Sequence, residues 1–271
     1  MSGEYTVLPA GTTTGTAGTS GTYVTFGLWP QTAKVDGVSI YTNRTKVVGS
    51  YTYYLGSDFE WYAEKSGDYY KVEPIKWRVV TDSYSGKKLL LSEKSLMHKI
   101  FESRGQGHHL NVNDYGLSSI REWLNDDFLN TAFTSEEQSM IPATEVDNSD
   151  DSTTDAGSNL PKAGFGYDNT SDQIFLLSKF EVTKNEYDFG AYNNSDSKRK
   201  RLPTDFAIAY GAPASGNVGW WLRSPSYEIV SKAQYVTVNG NAGDYKTYVN
   251  DDGSNNGKNC QGVVPALCVN P

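Results

Sequence analysis

Histidine, methionine and cysteine are scarce in this 271-residue chain, at three, three and two residues, and each shortage removes a class of chemistry. His98, His108 and His109 share no face of a helix or strand, and no carboxylate or cysteine stands at zinc-ligand spacing beside them, so no metal centre is expected. A Gly-x-Ser-x-Gly elbow, a P-loop and a Rossmann glycine fingerprint are all missing, which leaves nucleophilic and nucleotide chemistry without their usual geometry. The adjacent carboxylates Asp126-Asp127 and Asp251-Asp252 read as surface charge rather than a glycosidase pair.

Basic charge is also in deficit. Lysine and arginine total 24 against 32 acidic residues, for a net charge of -8, which argues against nucleic-acid and anionic-membrane partners. The single basic run, Lys198-Arg199-Lys200-Arg201, is read as a solvated loop, because no second cluster or stacking aromatics accompany it. No stretch approaches the roughly 18 consecutive apolar residues of a membrane span, and no secretory apolar core follows Met1. Two cysteines leave the redox compartment open. Cys268, within the strand-like "PALCV", is expected as a buried thiol, with a Cys260–Cys268 disulfide as the alternative.

What the chain has in quantity is aromatic and strand-forming residues, with 13% aromatics and 19 tyrosines among frequent Gly, Asn and Asp. A Gly/Thr-rich tether is expected over residues 1–21, followed by one domain over 22–271. "YVTFGLWPQ" (23–31) reads as a strand stopped by Pro30. "IKWRVVT" (75–81) and "KLLLSE" (88–93) read as a hairpin turning at Asp82–Gly86. A helix is expected from Ser118/Ser119, with Ser119 and Glu122 as a capping box and Ile120, Trp123, Leu124 and Phe128 on its apolar face. A second helix, "TSEEQSMI" (134–141), opens on Thr134 and Glu137 and ends at Pro142. "DQIFLLS" (172–178) reads as a strand with a helix onset at Ser178 and Glu181, and "LPTDFAIAYG" (202–211) as a capped helix closed by Gly211.

Between these elements, "DNSDDSTTD" places Asp147, Ser149, Asp151, Thr153 and Asp155 at alternate positions. Ser152 stands where a calcium loop needs glycine and Ser158 where it needs glutamate, so a solvated acidic loop is expected.

The order "WRVV", "LLLS", "SSIREWLNDDFLNTAFTSEEQSMI", "DQIFLLS", "KRLPTDFAIAYGA", "GWWLRSP" and terminal "GVVPAL" resembles bacterial C-type lectin-fold domains related in fold to the formylglycine-generating enzymes. Closer still, the chain is similar to the variable proteins of diversity-generating retroelements, the treponemal ones in particular. That resemblance implies an α+β C-type lectin fold with mixed β-sheets, a few short helices and long loops. It also implies a variable region over about 219–271, rewritten by adenine-directed mutagenesis. The function it implies is non-enzymatic and cofactor-free: a monomer binding protein or glycan ligands at the bacterial surface, as an outer-membrane lipoprotein whose leader lies outside this sequence. Alternatives on the same fold are a cysteine-dependent oxidase using Cys260 and Cys268, and a structural surface module. Calcium-dependent sugar binding is disfavoured, since Glu73-Pro74 is followed by Ile75, which cannot coordinate.

Adenine mutation of Asn codons yields Asn, Tyr, Ser, Asp, Thr, Ile and Val among others, but never Lys, Glu, Gln, Trp or Met. On this basis Tyr227, Ile229, Ser231, Thr237, Asn239, Asn241, Asp244, Tyr245, Tyr248, Asn250 and Asp251 are the candidate ligand contacts; Val230 is also permitted, while Glu228, Lys232, Gln234 and Lys246 fall outside. Tyrosine offers broad contact area with few rotors and Ser, Asn and Asp offer adaptable hydrogen bonds. From Asn217 onward, Arg223, Lys232, Lys246 and Lys258 balance Glu228, Asp244, Asp251 and Asp252, a neutral segment suited to protein or glycan. Tyr235 is assigned to scaffold. Trp220, Trp221, Leu222 and Pro225 are assigned to the core below the surface, and Ala233, Val236, Gly240 and Val249 are expected to hold the contacts in place.

Overall fold

A computed structural model describes residues 22–104, 111–154, 156, 165–191, 194–226, 229–243, 245–249 and 259–270. The expected tether over 1–21 lies outside them. The first strands are β1 (Tyr23–Ala33), β2 (Ile40–Val48), β3 (Tyr51–Gly56), β4 (Trp61–Lys65), β5 (Asp68–Tyr84), β6 (Lys87–Ser92) and β7 (Met97–Lys99). A helical stretch follows as α1 (Ser119–Trp123), a π turn (Leu124–Phe128) and α2 (Leu129–Ala132), and then α3 (Ser135–Ser139). Next come β8 (Thr144–Val146), β9 (Thr170–Asp172), β10 (Ile174–Phe175) and α4 (Asp205–Ala209). The chain closes on β11 (Trp220–Pro225), β12 (Lys232–Val236), β13 (Lys246–Tyr248), β14 (Gln261–Val263) and β15 (Ala266–Val269).

These strands make an eight-stranded sheet in the order β10-β15-β6-β5-β4-β3-β2 with β1 on β5, a five-stranded sheet in the order β13-β12-β11-β14-β7, and the β8–β9 pair. Pairing is antiparallel except for β11 beside β14, where Trp220 faces Gly262. The architecture is α+β, with mostly antiparallel sheets and short helices.

Local chemistry accounts for most element boundaries. The β5–β6 hairpin turns on Ser85 and Gly86, both with positive φ (50° and 77°), so the turn is two residues long and β5 runs on to Tyr84, past the expected start of the loop. Pro30 does not end β1: the strand continues to Ala33, because β1 pairs only with β5 and its register slips between Pro30 and Thr32, where a missing N–H costs little. Ser118, not Ser119, caps α1, its hydroxyl accepting the Arg121 N–H at 3.3 Å. Thr134 and Glu137 form the reciprocal capping box of α3. The 172–178 strand is reduced to Ile174–Phe175, with Leu176 and Leu177 buried beyond it. α4 is capped by Thr204 and closed at Gly211 (φ 98°).

One buried apolar cluster runs from Val24 to Val269. Trp29 is its hub, with ring centroids 4.9 Å from Phe128, 5.9 Å from Trp123 and 6.1 Å from Phe206, tying β1 to α1 and α4. Its indole N–H donates to the Leu96 carbonyl at 3.0 Å, so a large ring is buried with its one polar atom satisfied.

Candidate functional site

The five-stranded sheet carries the C-terminal surface, and its central strand β11 is wholly buried. Trp220 and Trp221 point to opposite sides of β11 and both are fully buried, as expected of "GWWLR". Their indole N–H groups donate to the carbonyls of Arg199 and Lys99, each at 2.9 Å. Two residues later, Arg223 is buried against Glu181: both terminal guanidinium nitrogens reach the carboxylate, and they also donate to the carbonyls of Leu176 and Asp147. Tyr84 donates to the same carboxylate at 2.7 Å. Burial alone would raise the Glu181 carboxyl, but the Arg223 guanidinium outweighs it and holds it below the usual carboxylate range.

The run Lys198–Arg201 is not a solvated loop. Arg199 and Arg201 are buried while Lys198 and Lys200 alternate outward. All five Arg199 donors end on carbonyls, those of Gly240, Val182, Gly190, Ala191 and Asn194. A planar fork can satisfy itself on backbone oxygen, and that explains how Arg199 leaves a surface-like run for the interior; Arg201 follows with Nε and Nη1 donating to the carbonyls of Ser92, Lys198 and Lys200, while its Nη2 has no hydrogen-bond partner among the described residues. Burial lowers Arg201 to about 10. The acidic loop is solvated at its acids, with Asp147 and Asp151 exposed, but not throughout. Asp150–Thr153 form a short helical turn with Ser152 and Thr153 buried, because the Ser224 hydroxyl and the Gln234 amide donate to their carbonyls at 3.0 and 3.1 Å. Asp155 and Ser158 lie outside the described residues.

Over this base stands the β12–β13 hairpin, with Lys232 facing Tyr248 and Gln234 facing Lys246. Ala233, Val236 and Val249 are fully buried beneath it, in the supporting role read from the sequence. Gly240, at φ 77°, is pressed onto the 196–200 segment: a Cβ there would lie 2.1 Å from the Asp196 carbonyl oxygen, and its own carbonyl takes the Arg199 Nε–H at 2.7 Å.

Among the side chains left outside, Ile229, Tyr245 and Tyr248 are expected contacts and keep 36, 42 and 39% of their surface exposed, while Val230 and Val238, which are not in that set, keep 58 and 45%. Asn239 is exposed at the tip of the Thr237–Gly240 turn, and Ser231 is half-buried. Tyr245 meets Tyr235 edge-on at 6.2 Å, and Lys232 Nζ lies 4.5 Å above the Tyr248 ring. Tyr235 is half-buried within β12, while Tyr227, Asp244, Asn250 and Asp251 lie outside the described residues.

Two expected contacts have a different local job. The Thr237 hydroxyl accepts the Asn241 N–H at 3.2 Å, and the Asn241 side chain accepts the Gly243 N–H at 2.8 Å, so both shape the turn that presents Asn239. Sequence reasoning also missed the clamp below Ile229. Asn113 donates to the carbonyls of Ser226, Ile229 and Lys232, and Tyr167 donates to Asn113 at 2.7 Å. Nothing local marks Asn113, which lies more than a hundred residues before the carbonyls it holds. For the arginines a signal existed, since Arg rather than Lys falls at every second place of the run.

The cysteines are not joined by a disulfide. Cys268 is buried in β15, and burial pushes its thiol up to about 12. Among the described residues, no three His, Cys, Asp or Glu side chains are grouped as a metal site requires. Nor is any helix among them long and apolar enough to cross a membrane.

Residues 85–271 match the family described as a domain of unknown function, DUF6273, and the chain belongs to that family. No curated protein and no solved structure matches the chain.

Proposed function

We propose that this protein is a non-enzymatic binding protein with a C-type lectin fold, of the kind diversified by retroelements, and that the 229–248 surface is its ligand-contact face. The observation that carries the reading is the division of side chains along that segment. Ala233, Gln234, Val236 and Val249 are buried, whereas Ile229, Val230, Asn239, Tyr245 and Tyr248 are exposed. Gln234, which adenine mutation of an Asn codon cannot produce, is buried and donates to the carbonyls of Thr153 and Pro225. A segment divided this way can change its outer side chains while its backbone stays held, which limits the ordering cost of each new specificity.

Exposed tyrosines and aliphatics among Ser and Asn suit a protein or glycan epitope at a bacterial surface, where an outer-membrane lipoprotein would display them. The test is Ile229→Ser, Tyr245→Ser and Tyr248→Ser together. The edge-on Tyr pair and the Lys–Tyr contact are worth about 1–2.5 kcal/mol in sum. A loss within that range supports a contact face. A loss of about 4 kcal/mol or more would place these residues in the scaffold and end the proposal.

A further inference from the structure

The long strand β5 changes neighbours in its middle, and a cleft of about 280 Å³ lies where it does. β4 pairs with β5 as far as Lys71 and β6 pairs with it from Trp77 onward, so residues 72–76 keep β1 on one side and, among the described residues, have no strand on the other. The walls of the cleft come from this stretch of β5, from the β1 bulge at Gln31 and from the 93–96 segment after β6, which brings in the buried Leu96. None of them belongs to the C-terminal surface.

One polar side chain is built into the cleft. The register of β1 slips between Pro30 and Thr32, which leaves Gln31 without a ladder partner, and its side chain turns onto β5, where Nε2 donates to the carbonyls of Glu73 and Pro74 at 3.1 and 2.9 Å. Both amide hydrogens are thereby used, and the residue is only 8% exposed. Its Oε1 accepts no hydrogen bond from a described residue, yet it is not among the enclosed orphan atoms of the protein, so it keeps access to the cleft that Gln31 lines. Glu73, whose carbonyl Gln31 holds, has Oε2 occupied by the Thr32 N–H and hydroxyl, while its Oε1 accepts nothing from the described residues. Two oxygens with acceptor capacity thus share one wall, which suits an ammonium group.

Lysines supply the opposite sign. Lys94 is exposed, and its side chain makes no hydrogen bond, ion pair or ring contact with a described residue. The Lys76 ammonium lies 4.1 Å from the centre of the Tyr23 ring, and the hydroxyl of that tyrosine donates to Glu93 at 3.5 Å. Glu73, Glu93, Lys76 and Lys94 therefore bring two charges of each sign to one cleft, and among the described residues none of them is ion-paired with another. A ligand with one charge would meet its own sign here as well as the opposite one; a small molecule carrying both finds a partner for each.

We infer that this cleft binds a free amino acid, its ammonium held by Gln31 Oε1 and Glu73 and its carboxylate by Lys94 and Lys76. The flexible four-carbon stems of the lysines let their ammonium groups close on a carboxylate. Size supports the class: a protein cavity of about 150 Å³ holds benzene and drug-sized ligands take about 300–1,000 Å³, so about 280 Å³ suits one amino acid rather than an oligosaccharide or a peptide. Leu96 gives an aliphatic side chain an apolar neighbour.

The experiment titrates three probes into the whole protein at about pH 6.5, where an α-amine is protonated, following protein amide shifts by NMR. The probes are L-leucine, leucinamide, which keeps only the positive end, and 4-methylpentanoate, which keeps only the negative end. Saturable L-leucine binding is expected, with shifts at Gln31, Thr32, Lys76 and Lys94 and none in 229–248, and each single-ended probe is expected to bind at least about tenfold more weakly. Lys94→Met is expected to weaken L-leucine at least about tenfold and leave leucinamide unchanged. Glu73→Gln, which keeps an acceptor for Thr32, is expected to weaken L-leucine similarly and leave 4-methylpentanoate unchanged. No saturable shift with L-leucine up to about 10 mM would overturn the inference, as would a single-ended probe that binds as tightly as L-leucine, or unchanged L-leucine affinity in both variants. Because the cleft and the C-terminal surface share no residue, neither result bears on the binding face.

Discussion

Replacing Arg223 by methionine tests whether the C-terminal surface rests on a buried ionic clip. Methionine keeps the stem volume and removes the guanidinium, leaving Glu181 buried with the Ser178 N–H (2.7 Å) and the Tyr84 hydroxyl (2.7 Å) as its remaining donors among the described residues. Breaking one side of a buried pair costs about 3–5 kcal/mol, because the remaining charge stays desolvated. With a denaturant slope of about 2–3 kcal/mol per molar urea, the unfolding midpoint should fall by about 1–2.5 M.

The dependence on pH separates this cause from simple loss of packing. In the wild type the Glu181 carboxyl is held below its ordinary 4.5, so its contribution is present above that value and is lost as pH falls through the lowered folded value. Without Arg223, burial dominates and the folded value rises above 4.5, so the sign reverses and the variant loses stability as pH increases. The difference between the two proteins should therefore be larger at about pH 7 than at about pH 4. Adding Glu181→Gln removes the stranded charge, and the double variant should be at least about 2 kcal/mol more stable than the sum of the single losses implies. A loss under about 1 kcal/mol that does not vary with pH would refute the reasoning, and Arg223 would then be a replaceable filler.

Other perturbations probe the surface and the alternatives. Gly240→Ala should cost at least about 2 kcal/mol in urea unfolding, since the new Cβ meets backbone at a positive φ. Thr237→Val and Asn241→Ala should each cost about 1 kcal/mol through the lost turn hydrogen bond, whereas Asn239→Ala should stay within about 0.5 kcal/mol. In the native protein at pH 8, a thiol reagent should leave Cys268 unmodified, its thiol being shifted to about 12, and should reach it only after denaturation. Fast native modification of Cys268 would instead revive a cysteine-dependent activity.

Elements whose determinants are local were legible in the sequence. The Thr134–Glu137 capping box, the apolar face of Ile120, Trp123, Leu124 and Phe128, the β5–β6 hairpin and the Thr204-to-Gly211 helix all follow from residues close along the chain. The buried "GWWLR" was legible because two exposed tryptophans would have been costly.

What stayed hidden depends on partners far along the chain. Pro30 ends a strand only if its N–H is needed, and the one-sided pairing of β1 is a tertiary fact. β2 carries a run of exposed polar residues, and β3 and β4 bury only Tyr53, Gly56, Tyr62 and Ala63, so this stretch announces no core. Arg199 and Arg201 look like solvent-facing charge until carbonyls from four other segments converge on them. On the candidate surface, Asn239, Tyr245 and Tyr248 stand exposed over buried Val236 and Val249, but residue type does not separate the valines, since Val230 and Val238 are exposed. Nor does it separate Thr237 and Asn241, whose side chains are spent on their own turn.

The most direct test of a diversified binding face is to sequence the 3′ coding region of this gene across many isolates, together with the DNA just downstream. The account predicts replacements traceable to adenines in a neighbouring near-copy, falling on Ile229, Asn239, Tyr245, Tyr248 and their exposed neighbours and sparing Arg223, Gln234, Val236, Gly240 and Val249. Substitutions scattered along the gene, mainly silent, with no near-copy beside it, would contradict the claim.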